Sequence, residues 1–307
     1  MARKRVRGTG DDAGESVSAA WARVRIAKIF RDLREASGHT QAEVAKYLFR
    51  HVGSYGNIER ADPRVAFRLD RDIQRMVEFC GASQEILDLL LELADTTNEE
   101  GPFTRYREVM SAEFGMYADM MRNAESIHNY EPELVPGLFQ TKAYATQVMS
   151  LPGTDGRKRD PEAVATRVEL RLRRQELLTR AKPLRVGAIV GEAALRSRVG
   201  GPELMADQLE HLVRLAKRRN VTIRVVPLWT GLHLGMTTGS FCVMRFPDNT
   251  TTPIVYSDGF MGDSYFKKPG EVALYDAAFA DIVRHALNIT ESRALMHDIA
   301  KELSAHD

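Results

Sequence analysis

Thr40-Gln41-Ala42-Glu43 and the run from Arg50 to Asn57 hold the residues whose types and spacing best fit a chemical task, and that task is reading DNA. Thr40 and Glu43 stand three apart. At that spacing a threonine hydroxyl accepts the amide three residues on and the glutamate reaches back, so a helix is expected from Gln41 to about Leu48. Its first amides, with Thr40 and the Gln41 side chain, can meet a phosphate. A second short helix is expected over about Val52 to Arg60, burying Tyr55 and Ile58 and turning Ser54 and Asn57 outward. An asparagine can bond adenine N6 and N7 together in the major groove, and a serine can donate or accept there. Arg50 is expected at a phosphate, with His51 and Val52 where the helix enters the groove. Glu59 and Arg60 read as ion-pairing groups. Gly53 and Gly56 inside the second helix each cost about 1 kcal/mol relative to alanine, so a distorted helix is expected there.

Other chemistry is sparse. Cys80 and Cys242 stand far apart and lack metal-ligand spacing, so neither a disulfide framework nor a metal site is expected, and a reducing compartment, the cytoplasm, fits best. No nucleophile elbow, phosphate loop, dinucleotide fingerprint or HExxH occurs, and no cofactor is expected. An enzymatic reading would have to use Glu192, His233 and Asp258. Trp229, His233, Met236, Phe241 and Phe260 flank loops that follow strands, and they could line a pocket for a small-molecule effector. No apolar run reaches the roughly 18 residues of a membrane span, and the basic, polar first residues do not read as a secretory signal.

Charge is uneven along the chain. Residues 1–60 hold twelve Lys/Arg against seven Asp/Glu, a net of +5, which leaves −4 for the remainder of a chain whose total is +1. A basic front on a mildly acidic body suggests that the front meets a polyanion. Arg3, Lys4, Arg5 and Arg7 open it as an arm able to reach phosphates or the minor groove.

The elements that must position these residues follow from periodicity. Residues 1–20 read as a disordered basic arm and 21–95 as a five-helix helix-turn-helix domain, with a linker at Thr96–Pro102. Residues 103–307 read as a helical middle segment followed by an α/β domain with a small mixed sheet, giving an α+β fold overall. In the helical segment, helices are expected near 104–128 and 141–150, and from Asp160-Pro161 to about Arg180. The arginines at 167, 171, 173, 174 and 180 alternate with Glu162, Glu169 and Glu176 and read as a solvated face. Strands are expected at 184–190, 221–226, 239–246 and 253–257, with the first two parallel across a helix at 202–219. Two helices, near 270–287 and 290–304, close the chain.

Leu33-Arg-Glu-Ala, Thr40-Gln41-Ala-Glu43-Val44-Ala45, Leu48 and Ile58-Glu59-Arg60 resemble the Cro/repressor-type (XRE) helix-turn-helix at its own spacing. Phe49 stands where that family has glycine, and His51 where it has a small polar helix opener. Further on, Val135-Pro-Gly-Leu-Phe-Gln-Thr141 with Ala143-Tyr-Ala145 resembles the "VPGLLQT…YA" signature of the actinobacterial WhiJ-like regulators. Arg171-Leu-Arg-Arg-Gln-Glu-Leu-Leu178, Glu192 to Leu195, Gln208-Leu209 and Asn220 to Pro227 match the same family in order. The resemblance implies a dimeric transcription regulator bound to double-stranded DNA, whose α/β domain, of unassigned activity, senses a ligand or a small protein encoded nearby. An antitoxin-like protein-interaction adaptor with a degenerate helix-turn-helix is the alternative.

Overall fold

The computed structural model describes residues 19–62, 69–97, 112–152, 158–247, 252–259 and 263–305. Arg3, Lys4, Arg5, Arg7 and Phe260 lie outside them, as do residues 98–102 of the expected linker. The fold is α+β, and the chain divides into two compact units, Met1–Gly101 and Pro102–Asp307.

The first unit is helical: α1 (Ala19–Ala36), α2 (Gln41–Tyr47), α3 (Val52–Glu59), α4 (Leu69–Cys80) and α5 (Gln84–Thr97). On α1, Ala22, Ile26 and Phe30 recur every four residues and are fully buried, with Ala27 beside them. Val44, Ala45, Leu48, Tyr55 and Ile58 meet Ile73, Met76, Leu90 and Leu93 in the same core. Gly38, with φ +73°, ends α1 while the His39 amide closes back on the Arg34 carbonyl. The capping box opens α2: the Glu43 amide donates to Thr40 Oγ1 at 3.3 Å, and the Thr40 amide donates to Glu43 Oε2 at 2.7 Å. Residues 48–51 then turn the chain into α3. Phe49 holds φ +53°, the left-handed conformation for which glycine is the usual choice. α3 runs as an unbroken helix through Gly53 and Gly56, so the expected distortion is absent. The buried Tyr55 and Ile58 hold it in place.

The second unit is built on a six-stranded mixed sheet in the order β3-β2-β1-β4-β5-β6. Its elements are α6 (Ala112–Asn123), β1 (Ser126–Glu131), α7 (Lys142–Met149), α8 (Pro161–Arg174), β2 (Arg185–Gly191), α9 (Glu192–Arg196), α10 (Pro202–Leu215), β3 (Val221–Val226), α11 (Gly235–Thr238), β4 (Phe241–Arg245), β5 (Ile254–Ser257), β6 (Ser264–Phe266), α12 (Pro269–His285) and α13 (Ile289–Ser304). β1, β2 and β3 pair in parallel, as expected for β2 and β3, and β4, β5 and β6 continue antiparallel.

The central strand, β1, is the main departure from the sequence reading, which carried a helix through residue 128. Ser-Ile-His-Asn-Tyr-Glu does not alternate apolar with polar, because three of its polar side chains have partners inside the fold. Asn129 Nδ2 donates to the Phe241 carbonyl at 3.0 Å and the His128 ring stacks on Phe279 at 4.5 Å. Glu131 accepts from Asn129. One sheet face, with Tyr130, Ile189, Phe241, Val243 and Val255, packs on Val272, Phe279 and Ile282 of α12. On the other, Tyr117 of α6 stacks on Tyr256 of β5 at 3.9 Å. At the β3 edge the Leu287 amide donates to the Val225 carbonyl and buried Ser292 accepts the Val225 amide, so α13 and the chain leading into it cover that edge.

Candidate functional site

The residues expected at DNA divide into two groups. Thr40, His51 and Val52 are exposed and Asn57 is half-buried. Gly53, Asn57 and Arg60 fall at i, i+4 and i+7 and share one stripe of α3. Asn57 Oδ1 accepts from Arg60 Nη2, which aligns the amide along that stripe. Gln41, Arg50 and Ser54 turn inward. Gln41 Nε2 donates to Glu59 Oε2 at 2.7 Å. Arg50 was expected at a phosphate; its guanidinium instead grips buried Asp72 through Nε (3.0 Å) and Nη2, and donates to Ser54 Oγ at 3.3 Å. An arginine at the end of this tight turn is within reach of α4, and a carboxylate there offers a bidentate partner.

Glu59 is the clamp that fixes α3. It is 3% exposed. Arg34 of α1 donates to it through Nε at 2.6 Å and Nη2 at 3.1 Å, and Arg31 Nη2 donates to its backbone carbonyl at 2.7 Å. Burial pushes its carboxyl up, but the bonds from Arg34, Gln41 and Tyr55 outweigh it and hold the group below its ordinary range. α3 is thus tied to both α1 and α2. Phe49, the residue standing where the resembling family has glycine, is 78% exposed, and its ring lies under the Arg75 guanidinium at 4.6 Å, a partner the sequence did not indicate.

In the second unit the motif segments meet one another. Buried Gln140 accepts from Arg171 Nη1 at 2.6 Å through Oε1 and donates to the Val135 carbonyl at 2.8 Å through Nε2. Its own carbonyl accepts from Gln175 at 2.7 Å. Gln208 donates to the Phe139 carbonyl and accepts the Thr141 amide. Residues 135–141, 171–175 and 208 therefore form one hydrogen-bonded centre, with Leu138 and Phe139 packed beneath it. A Cβ on Gly137 would lie 3.5 Å from Arg171 Cζ, so the backbone there packs directly on the guanidinium.

This corrects the reading of the α8 arginines as a solvated face. Arg173 is exposed and pairs with Glu169 at 3.6 Å, but Arg174 is 4% exposed and stacks over Phe114 and Tyr117. Burial, with Arg174 nearby, lowers the Arg171 guanidinium to about 10. At the end of β1, burial raises the Glu131 carboxyl to about 7 despite the Asn129 amide and Arg171. Beside them the Cys242 thiol is pushed up to about 12 by burial and is inert as a nucleophile near neutrality.

Of the five residues expected to line an effector pocket, Phe260 lies outside the described residues, and the other four do not gather around one cavity. Phe241 is buried in the sheet core, while Trp229 and Met236 are 72% and 60% exposed. His233 is half-buried, with its ring 6.2 Å from that of Tyr130. A groove of 550 Å³ opens elsewhere, between α7 and α8, with Val164, Val168 and Leu172 in its floor and Lys142 and Arg159 on its rim. Of the enzymatic reading, Glu192 is committed to Arg196 (2.7 Å) and the Leu228 amide (2.9 Å).

Residues 114–298, from α6 into α13, match the family described as a domain of unknown function, DUF5753. The chain belongs to that family. No curated protein and no solved structure matches the chain. The DUF5753 segment contains the whole sheet and every residue of the Gln140–Arg171 centre, while α1 to α5 lie outside it. The DUF5753 domain thus has its own polar centre, separate in sequence from the α2–α3 stripe.

Proposed function

We propose that this protein is a cytoplasmic, sequence-specific DNA-binding transcription regulator in which α2 and α3 form a helix-turn-helix and the DUF5753 domain senses a small ligand or a small partner protein. The observation that carries the reading is the Glu59 clamp. It fixes a short helix rigidly against two others while the opposite stripe, Gly53, Asn57 and Arg60, faces outward. A reading helix needs that combination of fixed position and open polar face. The basic arm and the +5 balance of residues 1–60 supply phosphate attraction. The α7–α8 groove has a volume suited to a small ligand. Among the described residues no helix is long and apolar enough to cross a membrane.

The test is selection of bound duplexes from a randomised library, followed by Asn57→Ala. The variant is expected to lose roughly 1–3 kcal/mol at the selected site and little on random DNA. Equal losses on both would remove Asn57 as a base reader. One observation favours the antitoxin-like adaptor as a second reading: Gln41, Arg50 and Ser54 are turned inward, which leaves few side chains for bases. Failure of the full-length protein to enrich any sequence would move the assignment there.

A further inference from the structure

Between β3 and β4 the chain turns an apolar face to water. Leu228, Trp229, Leu232, Leu234 and Met236 are 66%, 72%, 88%, 48% and 60% exposed. They sit in residues 227–240, a stretch without a single Asp, Glu, Lys or Arg. The loop is nonetheless firmly held. The Leu228 amide donates to buried Glu192 at 2.9 Å, the Leu234 amide to Asp281 of α12 at 2.8 Å, and the Thr230 hydroxyl to the His285 carbonyl at 3.0 Å. A Cβ on Gly235 would stand 2.7 Å from the Tyr130 ring, so the loop backbone lies directly on the sheet. Leu274, 72% exposed, precedes Asp281 by seven residues on α12 and so lies on the same stripe, extending the patch. Hydrogen bonds thus fix a backbone whose large apolar side chains stay in water, an arrangement that marks an interaction surface.

We propose that this loop, with Leu274, is where a second copy of this chain docks, one DUF5753 domain against the other across a two-fold axis. Self-docking superposes a surface on its own image, so a charged patch would repel itself, and this stretch carries no formal charge. The five loop side chains expose on the order of 600 Å², close to the roughly 800 Å² that each partner buries in a standard interface. Because the backbone is already fixed, association orders little chain. The inference goes beyond the proposed function, which names no contact between copies of the chain, and does not depend on it.

The experiment is sedimentation equilibrium with light scattering on the full-length protein, without DNA. The wild type is expected to be a dimer that dissociates on dilution. Trp229→Asp combined with Leu232→Asp is expected to be monomeric with an unchanged circular dichroism spectrum, since both side chains are exposed. As an independent readout, Leu232→Cys in a Cys80→Ser background is expected to cross-link two copies on mild oxidation. A monomeric wild type at tens of micromolar overturns the proposal and leaves the loop to a different protein. A variant that stays dimeric overturns it by showing that the copies meet elsewhere. A dimer that selects no DNA counts against the regulator reading and not against the interface; a monomer that selects DNA does the reverse.

Discussion

Glu59 and Glu131 are carboxylic acids withdrawn from water whose neighbours send them in opposite directions. Glu59 has a guanidinium and an amide bonded to its oxygens, and they overcome burial. Glu131 has one long bond from Asn129, 3.4 Å, and burial wins. The consequences for stability have opposite signs. Glu59 is held below its ordinary 4.5, so its contribution stands above that pH and is lost as the pH falls. Glu131 is raised to about 7, so the DUF5753 domain is favoured below pH 4.5 and loses stability as the pH rises through 7. Glu131→Gln removes the ionisable group. Urea unfolding of the DUF5753 domain at pH 8 is expected to show the variant more stable by up to about 2 kcal/mol, with the gain shrinking toward zero near pH 5. A gain independent of pH would mean that Glu131 is not the titrating group.

At the scale of elements, α3 shows how packing overrides propensity. Two glycines in eight residues argue for a weak helix, yet Tyr55, Ile58 and Glu59 anchor it from one side. Gly53 lies on the other side, with ordinary helical φ and nothing within 4 Å of where a Cβ would sit. Gly53→Ala is therefore expected to raise stability by up to about 1 kcal/mol, read as a higher melting temperature. A lower melting temperature would show that the helix is strained there. The same substitution reports on DNA: unchanged affinity is expected if the duplex contacts Asn57, and a selective loss of binding would put its backbone against Gly53. Phe49 presents the reverse case. Its left-handed backbone costs on the order of 1 kcal/mol, and stacking under Arg75 returns about half of that or more.

For the whole molecule, the division into Met1–Gly101 and Pro102–Asp307 places the basic stretch in one unit and the sheet in the other. Each unit has its own buried core. The fragment 102–307 is therefore expected to be soluble, to unfold in one cooperative transition, and to keep the pH dependence assigned to Glu131. The fragment 1–101 is expected to keep whatever sequence preference the full-length protein shows, at lower affinity if pairing of DUF5753 domains is lost. A 102–307 fragment without cooperative unfolding would show that its core is completed by the first unit.

Helix starts and inward faces were legible in the sequence because they depend on neighbours a few residues away. The Thr40–Glu43 box, the Asp160-Pro161 start and the buried face of α3 are examples. The parallel pairing of β2 and β3 was legible because a strand, a helix and a strand of those lengths leave little choice. The direction of a polar side chain was not, because partners distant in sequence decide it. Asp72, 22 residues away, turns Arg50 inward, and Gln140, 31 residues from Arg171, makes a buried centre from what reads as a solvated arginine face. β1 was hidden for the same reason, since its polar residues are satisfied by β4 and α12 rather than by water. The loop 227–240, with Trp229, His233 and Met236, reads from sequence as part of the wall of an effector pocket. It became surface only when Glu192 and Asp281 fixed its backbone outside the sheet, a position that hydrophobicity alone could not specify.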